Sequence, residues 1–283
     1  MFDLAIAYRI YPGITKTPAF HAEDKFRLAE SCLRSFSRAC GALRVKVWAL
    51  LDGCPPEYET LFRETLQGVD LEILNLNKIG NLATFSLQID LLTRQTDAEY
   101  VYFAEDDYFY FPGALEKMVA FMRDNPDADF VTPYDHPDIY ITCAQHERHL
   151  LKLYGDRYWR TAGSTCLTFL TSHKTLLATS RIFRTFARGN RDCSIWMVLA
   201  QKFGLANLRV HFHDRFRMES WVYAWWWGLR QILFSRKYRL WGPMPTLATH
   251  MDSTGLAPLI DWQSVFHEWQ CREQEQQSRS GQW

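Results

Sequence analysis

The chain has 283 residues, of which 47% are apolar, 23% charged and 15% aromatic, and its 32 basic and 32 acidic side chains cancel. This is the balance of a globular protein with a sizeable core. It excludes a highly charged disordered chain and offers no global argument for nucleic-acid binding. Seven cysteines, none in a CxxC pair, exclude a zinc knuckle and a dithiol redox motif and read as the reduced thiols of a cytosolic protein. No basic segment followed by an apolar stretch marks a signal peptide, and no apolar run reaches transmembrane length.

Leu4 to Ile10 (LAIAYRI) is an apolar run closed by Tyr-Pro-Gly and predicts a strand. Residues 23–40 carry Phe26, Leu28, Ala29, Cys32, Leu33 and Phe36 at helical spacing. Val45 to Leu51 predicts a second strand that stops at DGCPP, followed by a helix over 57–66 and a third strand over Val69 to Leu76. Gly80 to Gln95 opens with Gly-Asn and then turns helical, and Glu99 to Ala104 predicts a fourth strand. Strands alternating with helices predict a mostly parallel α/β sheet.

Pro112 is placed to open a further helix, Asp127 to Tyr134 reads as a strand, and Ala162 to His173 is strand-like with a helix after it. Arg191 to Gly204 predicts an amphipathic helix with a glycine stop. Trp221 to Trp241 is dominated by aromatic and basic residues, and the polar C-terminal end reads as frayed or disordered. With no internal repeat and no linker, the expectation is a single domain over 1–250, followed by a C-terminal extension over 251–283.

Glu105, Asp106 and Asp107 stand where the fourth predicted strand ends, between VYFA and YFYF. In an open parallel sheet, ligands bind outside the carboxyl ends of the strands. Adjacent carboxylates repel one another there, and an oxygen-ligated Mg²⁺ or Mn²⁺ would relieve the conflict while bridging phosphate oxygens. The alternative is acid decoration of the helix that Pro112 opens. It accounts for one carboxylate and poorly for three.

This order of elements, with a strand ending in EDD, resembles a glycosyltransferase of the GT-A fold, and the triplet resembles the Glu-Asp-Asp form of that family's DxD motif. The resemblance covers about residues 2–204 in element order. AYRIYP resembles the first strand and its nucleotide-facing loop, which implies donor roles for Tyr8 and Arg9. LLDG puts Asp52 where the family often has a carboxylate near the base, although the Asp-Gly-Ser pattern common among family-2 members is absent. GNLATF, with Asn81, resembles the segment before the helix that precedes the metal motif, and TAGSTCLTFLTSHKTL resembles the one lining the acceptor side. NRDCSIWMVLAQKFG resembles the helix whose first turn carries the catalytic base of inverting members, which makes Asp192 the candidate base against an ordinary helix-cap role.

The resemblance implies a nucleotide-sugar-binding half over 1–110 and an acceptor-binding half over 111–250. It makes Asp107 the direct metal ligand, with Asp106 or Glu105 on ribose or reaching the metal through water. His250 in LATHMDSTG is the late histidine that such enzymes often add to the metal shell, against a structural role. His211 and His213 are lesser candidates, and Arg215 and Arg217 are candidates for the diphosphate. The implied activity is metal-dependent transfer from a nucleotide sugar, a UDP-sugar first, to a glycan or lipid-linked hydroxyl, with inversion favoured and on the cytoplasmic side. A nucleotidyltransferase would carry a Gly-rich basic loop after the first strand, where this chain has YPGITKTP. A non-catalytic glycan- or membrane-binding module holding a structural cation is the third reading. Residues 221–241 read as an interfacial membrane helix, a lid, or a buried core helix with a basic end.

Overall fold

The structure, a computed structural model, describes residues 1–14, 16–141, 149–200 and 215–280, with the backbone alone described at 141, 215–217 and 276–280. β1 (Phe2–Ile10) is buried on both faces from Leu4 onward. A strand with no polar face needs a neighbour on each edge and helices above and below. Its neighbours are β2 (Val45–Asp52), flanked in turn by β3 (Asp70–Leu76), and, on the other edge, β4 (Ala98–Glu105), all parallel. The crossovers are α1 (Lys25–Cys40), α2 (Pro56–Thr65) and α3 (Asn81–Arg94).

After β4 the chain forms β5 (Tyr108–Tyr110), α4 (Ala114–Asp124), β6 (Phe130–Val131), α5 (Asp138–Ile141), β7 (Leu151–Tyr154), β8 (Arg157–Ala162) and β9 (Phe169–Ser172). Then come α6 (His173–Phe183), α7 (Asp192–Ala200), α8 (Arg215–Phe234), β10 (Leu240–Met244), β11 (Ala248–His250) and α9 (Trp262–Ser280). The large sheet has the order β3-β2-β1-β4-β9-β6-β10-β8-β7, with β9 and β8 running against the rest, and β5 pairs with β11 in a small second sheet. This is a mixed α/β domain with a largely parallel central sheet flanked by helices.

Strand alternation divides the core. Leu4, Ile6, Tyr8 and Ile10 face the side covered by α1, α2, α4 and α9, whereas Ala5 and Ala7 face the side covered by α3, α6 and α7. Register then sets the site, because β1 pairs with β4 so that Arg9 lies opposite Glu105. Gln88 of α3, fully buried, locks these two strand ends: its Nε2 donates to the Ala7 carbonyl at 2.6 Å and to the Ala104 carbonyl at 3.1 Å.

Several elements differ from the expectation. The strand predicted over 127–134 shrinks to β6; just before it the buried Asp129 accepts from the Arg239 amide at 2.8 Å and pairs with Arg236. The segment read as one strand at 162–173 is β8 and β9 separated by a loop. Gly113, in the left-handed region at φ 68°, precedes α4, so Pro112 stands before the helix and not at its first position. The Arg191–Gly204 helix is described to Ala200. The stretch 221–241 is not one element: α8 ends at Phe234, and Trp241 is buried in β10.

The C-terminal segment is helical from Trp262 to Ser280. Trp262, Phe266 and Trp269, at helical spacing, pack it onto Phe111, Phe109 and Phe20, and Arg38 forms an ion pair with Glu273. Among the described residues no helix is long and apolar enough to cross a membrane.

The double donation by Gln88 gives a test. Gln88→Ala removes both hydrogen bonds and leaves a void in the core, so urea denaturation should show a loss of about 1–3 kcal/mol. An unchanged midpoint and slope would show that the strand ends hold without it.

Candidate active site

The parallel part of the sheet has its switch point at β1, since β2 lies to one side and β4 to the other. A crevice opens outside the carboxyl ends of strands at such a point. Here it is a cleft of ≈ 430 Å³, whose wall includes Arg9, Lys25, Asp52, Asn81, Glu105 and Asp107. A neighbouring hollow of ≈ 470 Å³ continues beyond the ends of β2 and β3, beside Gly53, Cys54 and Lys78.

The three acids at the end of β4 each meet a different basic side chain. Glu105 pairs with Arg9, whose guanidinium also donates to the Asn81 side chain and, at 3.1 Å, to the Asn81 carbonyl, and Glu105 accepts from the Thr168 hydroxyl at 2.8 Å. Asp106 lies 2.5 Å from the Lys25 ammonium. Burial alone would lower Lys25, yet Asp106 outweighs it and holds the ammonium above its ordinary range. Burial pushes the Asp106 carboxyl up, with Lys25 opposing and Asp107 reinforcing.

Asp107 Oδ2 is 3.1 Å from His250 Nε2. Burial works against the Asp107 charge, but His250 more than compensates and holds the carboxyl at about 2, while Asp107 raises His250 against the effect of burial. The Asp252 amide donates to His250 Nδ1 at 3.2 Å, which leaves Nε2 as the proton-bearing nitrogen facing Asp107. The small sheet positions this histidine, because β11 pairs His250 with Tyr108, next in the chain to Asp107.

Asp107 Oδ1 is buried and has no hydrogen-bond donor. An acceptor-only oxygen buried without a donor is costly unless a cation faces it. Among the described residues no group of three or more His, Cys, Asp or Glu gathers to hold a metal by itself. A divalent ion bound through one or two protein groups, with substrate phosphates and water supplying the rest, needs no such cage. The residues therefore fit an ion through Asp107. His250 could join it through Nε2 only as the other tautomer, with its proton on Nδ1 and the Asp252 amide bond given up.

Asp52 lines the cleft but uses both carboxylate oxygens on backbone, accepting from Ile79 at 2.7 Å and from Gly80 at 2.8 Å. Gly80 turns at φ 86°, a conformation that favours glycine, to present that amide and start α3 at Asn81. Asp192 is the first residue of α7, with its carboxylate capping the Cys193 amide at 2.6 Å. Burial raises its pKa, and Asp192 is not among the residues that line the cleft.

Tyr8 does not reach the cleft. Adjacent residues of a strand face opposite ways, so with Arg9 in the cleft Tyr8 is buried beneath α1 and α2, edge-on to Phe36 and Phe62. Arg215 and Arg217 open α8, with side chains outside the described residues, as are His211 and His213. Sequence reading missed Lys25, Thr168 and His136. Lys25 looks like any helix-start lysine. His136 follows a short strand that ends early; burial lowers its pKa, and both His250 and Asp192 act on it.

No protein-family model and no curated protein matches the chain. Among solved structures it is similar to S. aureus TarS 1–349 at 11% identity and a TM-score of 0.43, covering 82% of this chain and 81% of that one. The same TarS fragment in complex with UDP-GlcNAc gives 11% identity and a TM-score of 0.40 over 63% of this chain, and this chain spans only 48% of its length. A mannosyltransferase, PcManGT from Pyrobaculum calidifontis in complex with GDP-Man and Mn²⁺, gives 12% identity and a TM-score of 0.36, covering 50% of this chain and 38% of that one. A CMP:2-keto-3-deoxy-manno-octonic acid synthetase complexed with CTP gives 13% identity and a TM-score of 0.37, covering 66% and 86%.

The Lys25–Asp106 pair is buried, its side chains being only 12% and 14% exposed. Lys25→Met strands a buried carboxylate and should cost about 3–5 kcal/mol in chemical denaturation. Adding Asp106→Asn should recover most of that loss in a double-mutant cycle. Two losses that simply add would show that the pair is not coupled.

Proposed function

We propose that the chain is a metal-dependent glycosyltransferase that moves a sugar from a nucleotide-sugar donor to an acceptor hydroxyl. The observation that carries this reading is the unpartnered, buried Asp107 Oδ1 at the mouth of a cleft at the sheet's switch point. The cleft takes the donor, a UDP-sugar first. Arg9, fixed by Glu105 and Asn81, and the Lys25 ammonium give it cationic groups facing a diphosphate. Glu105 and Asp106 face the ribose side, and Asp52 shapes the wall by holding the turn into α3. Mn²⁺ or Mg²⁺ held by Asp107, and by His250 in the tautomer that frees Nε2, would supply charge neutralisation for the leaving diphosphate.

The acceptor approaches from the side of Asp192 and His136. Asp192 takes the proton from the attacking hydroxyl, and its burial-raised pKa makes it a better base than a solvated carboxylate. A hydroxyl activated there attacks the anomeric carbon on the face away from the diphosphate, which inverts its configuration.

A thermal-shift series with UDP, GDP and CMP, each with and without Mn²⁺, tests donor and metal together, since a ligand that binds only the folded state raises the Tm. The expectation is a Mn²⁺-dependent shift with a nucleoside diphosphate, which Asp107→Asn abolishes while keeping the unliganded Tm within a few degrees. A shift that ignores Mn²⁺, or survives in Asp107→Asn, contradicts the metal assignment. Turnover that releases inorganic diphosphate instead of a nucleoside diphosphate would make the protein a nucleotidyltransferase, and binding with no turnover would make it a binding module.

Asp192→Asn keeps the shape but cannot accept a proton, so kcat should fall by about 10²–10⁴ with donor binding unchanged. In the wild type, activity requires ionised Asp192, so the acid limb of kcat/KM should lie above the ordinary carboxylate range because burial raises this group. The neighbouring charges on it are Glu105, His136 and Lys16. If the limb is unchanged in Asp192→Asn, Asp192 is a helix cap only.

A further inference from the structure

α8 is apolar on two opposite faces. Its inner face is a line of small residues, Ser220, Ala224 and Gly228, all buried against α7. A Cβ added at Gly228 would stand 2.3 Å from Val198, so the two helices meet at backbone distance. The outer face is a second line at helical spacing: Met218 is 41% exposed, Val222 54%, Trp226 78%, Leu229 46% and Leu233 57%. Phe234, 83% exposed, continues it at the helix end. Scattered exposed apolar residues need no explanation, but five in one stripe on a twenty-residue helix do.

Among the described residues of α8 and the turn after it, the unpaired charge is positive. Arg230 and Lys237 are exposed and have no acidic partner among the described residues. The single acid of α8, Glu219, is engaged by Arg191 at 2.6 Å. Not every cation nearby is available: Arg236 pairs with Asp129, and Arg239 pairs with Asp127 at 2.7 Å. A second copy of the chain is a poor occupant, because a two-fold contact across α8 would bring the same cations of both copies to one rim with no exposed acid of α8 to answer them. An anionic bilayer surface answers both features. Its acyl boundary accepts the aliphatic side chains, its headgroup level suits an indole, and its phosphates meet the cations.

We propose that α8 is a membrane-surface helix that lays Met218, Val222, Trp226, Leu229 and Leu233 into an anionic bilayer, with Arg230 and Lys237 on the lipid phosphates. It lies on the surface and does not cross, since no described helix is apolar enough to span.

Co-sedimentation with vesicles of phosphatidylcholine containing about one-third phosphatidylglycerol tests the proposal, with pure phosphatidylcholine as the comparison. The wild type should sediment with the anionic vesicles, and added salt should weaken it. Trp226→Ser with Leu233→Ser should lose at least about tenfold in partitioning. Arg230→Glu with Lys237→Glu should lose a similar factor and its salt dependence, as each cation contributes about fivefold near an anionic surface. All four positions are exposed, so both variants should keep the wild-type circular dichroism and Tm. The measurement needs no nucleotide, so its outcome is independent of the glycosyl-transfer reading. Wild type that stays in the supernatant, sedimentation unchanged in the Trp226 and Leu233 variant, or a wild-type dimer that this variant turns into a monomer would each overturn the proposal.

Discussion

The arrangement on which the site depends is the neutralisation of three adjacent carboxylates at the end of one strand. Glu105, Asp106 and Asp107 are brought out of water together, and at the spacing of neighbouring residues their repulsion in a protein environment amounts to several kcal/mol. Each is answered by a side chain from a different element: the Arg9 guanidinium of β1, the Lys25 ammonium of α1 and the His250 Nε2–H of β11. The sheet, its first helix and the small second sheet are thus pinned to one point. Buried ion pairs are a poor route to stability, because desolvation offsets much of their attraction. Their concentration here argues for a site that must hold negative charge, and Asp107 Oδ1 is the part of that charge the protein leaves unanswered.

The topology explains why the charge is collected there. In the order β3-β2-β1-β4 the chain winds outward from β1 in both directions, so no helix covers the seam between the ends of β1 and β4. Arg9 and Glu105 are register partners at that seam, and Gln88 ties the carbonyls just beneath them. α3 begins beside it because Asp52, at the end of β2, captures the Ile79 and Gly80 amides. The carboxylate read from the sequence as a donor contact is therefore a hinge pin for the wall that the donor would touch.

Much of this was legible in the sequence, for definite reasons. The four parallel strands announce themselves as apolar runs because they are covered on both faces, and the acid triplet is conspicuous because charge seldom follows such a run. The Tyr8 assignment failed against a rule the sequence already contains: Tyr8 and Arg9 are neighbours in a strand and cannot both face one cleft. The second half was less readable, since β6 has two residues, β5 and β11 have three each, and their pairing is long-range. Lys25 and His136 were invisible because their roles come from partners distant in sequence. The stretch 221–241 misled because it joins a helix apolar on two faces to a buried strand, and periodicity sees one dense aromatic run.

α8 also joins the outer surface to the chemistry. Its first turns are bonded to the first turn of α7: Glu219 to Arg191, the Ser220 hydroxyl to Cys193 at 3.2 Å, and the Ser220 carbonyl to the Ser194 hydroxyl at 3.0 Å. Asp192 lies between Arg191 and Cys193. Small residues along the rest of the interface bring the two backbones close, and closely packed helices move as a unit instead of absorbing displacement in flexible side chains. Whatever rests on the outer face of α8 therefore bears directly on the position of the carboxylate proposed to take the acceptor's proton.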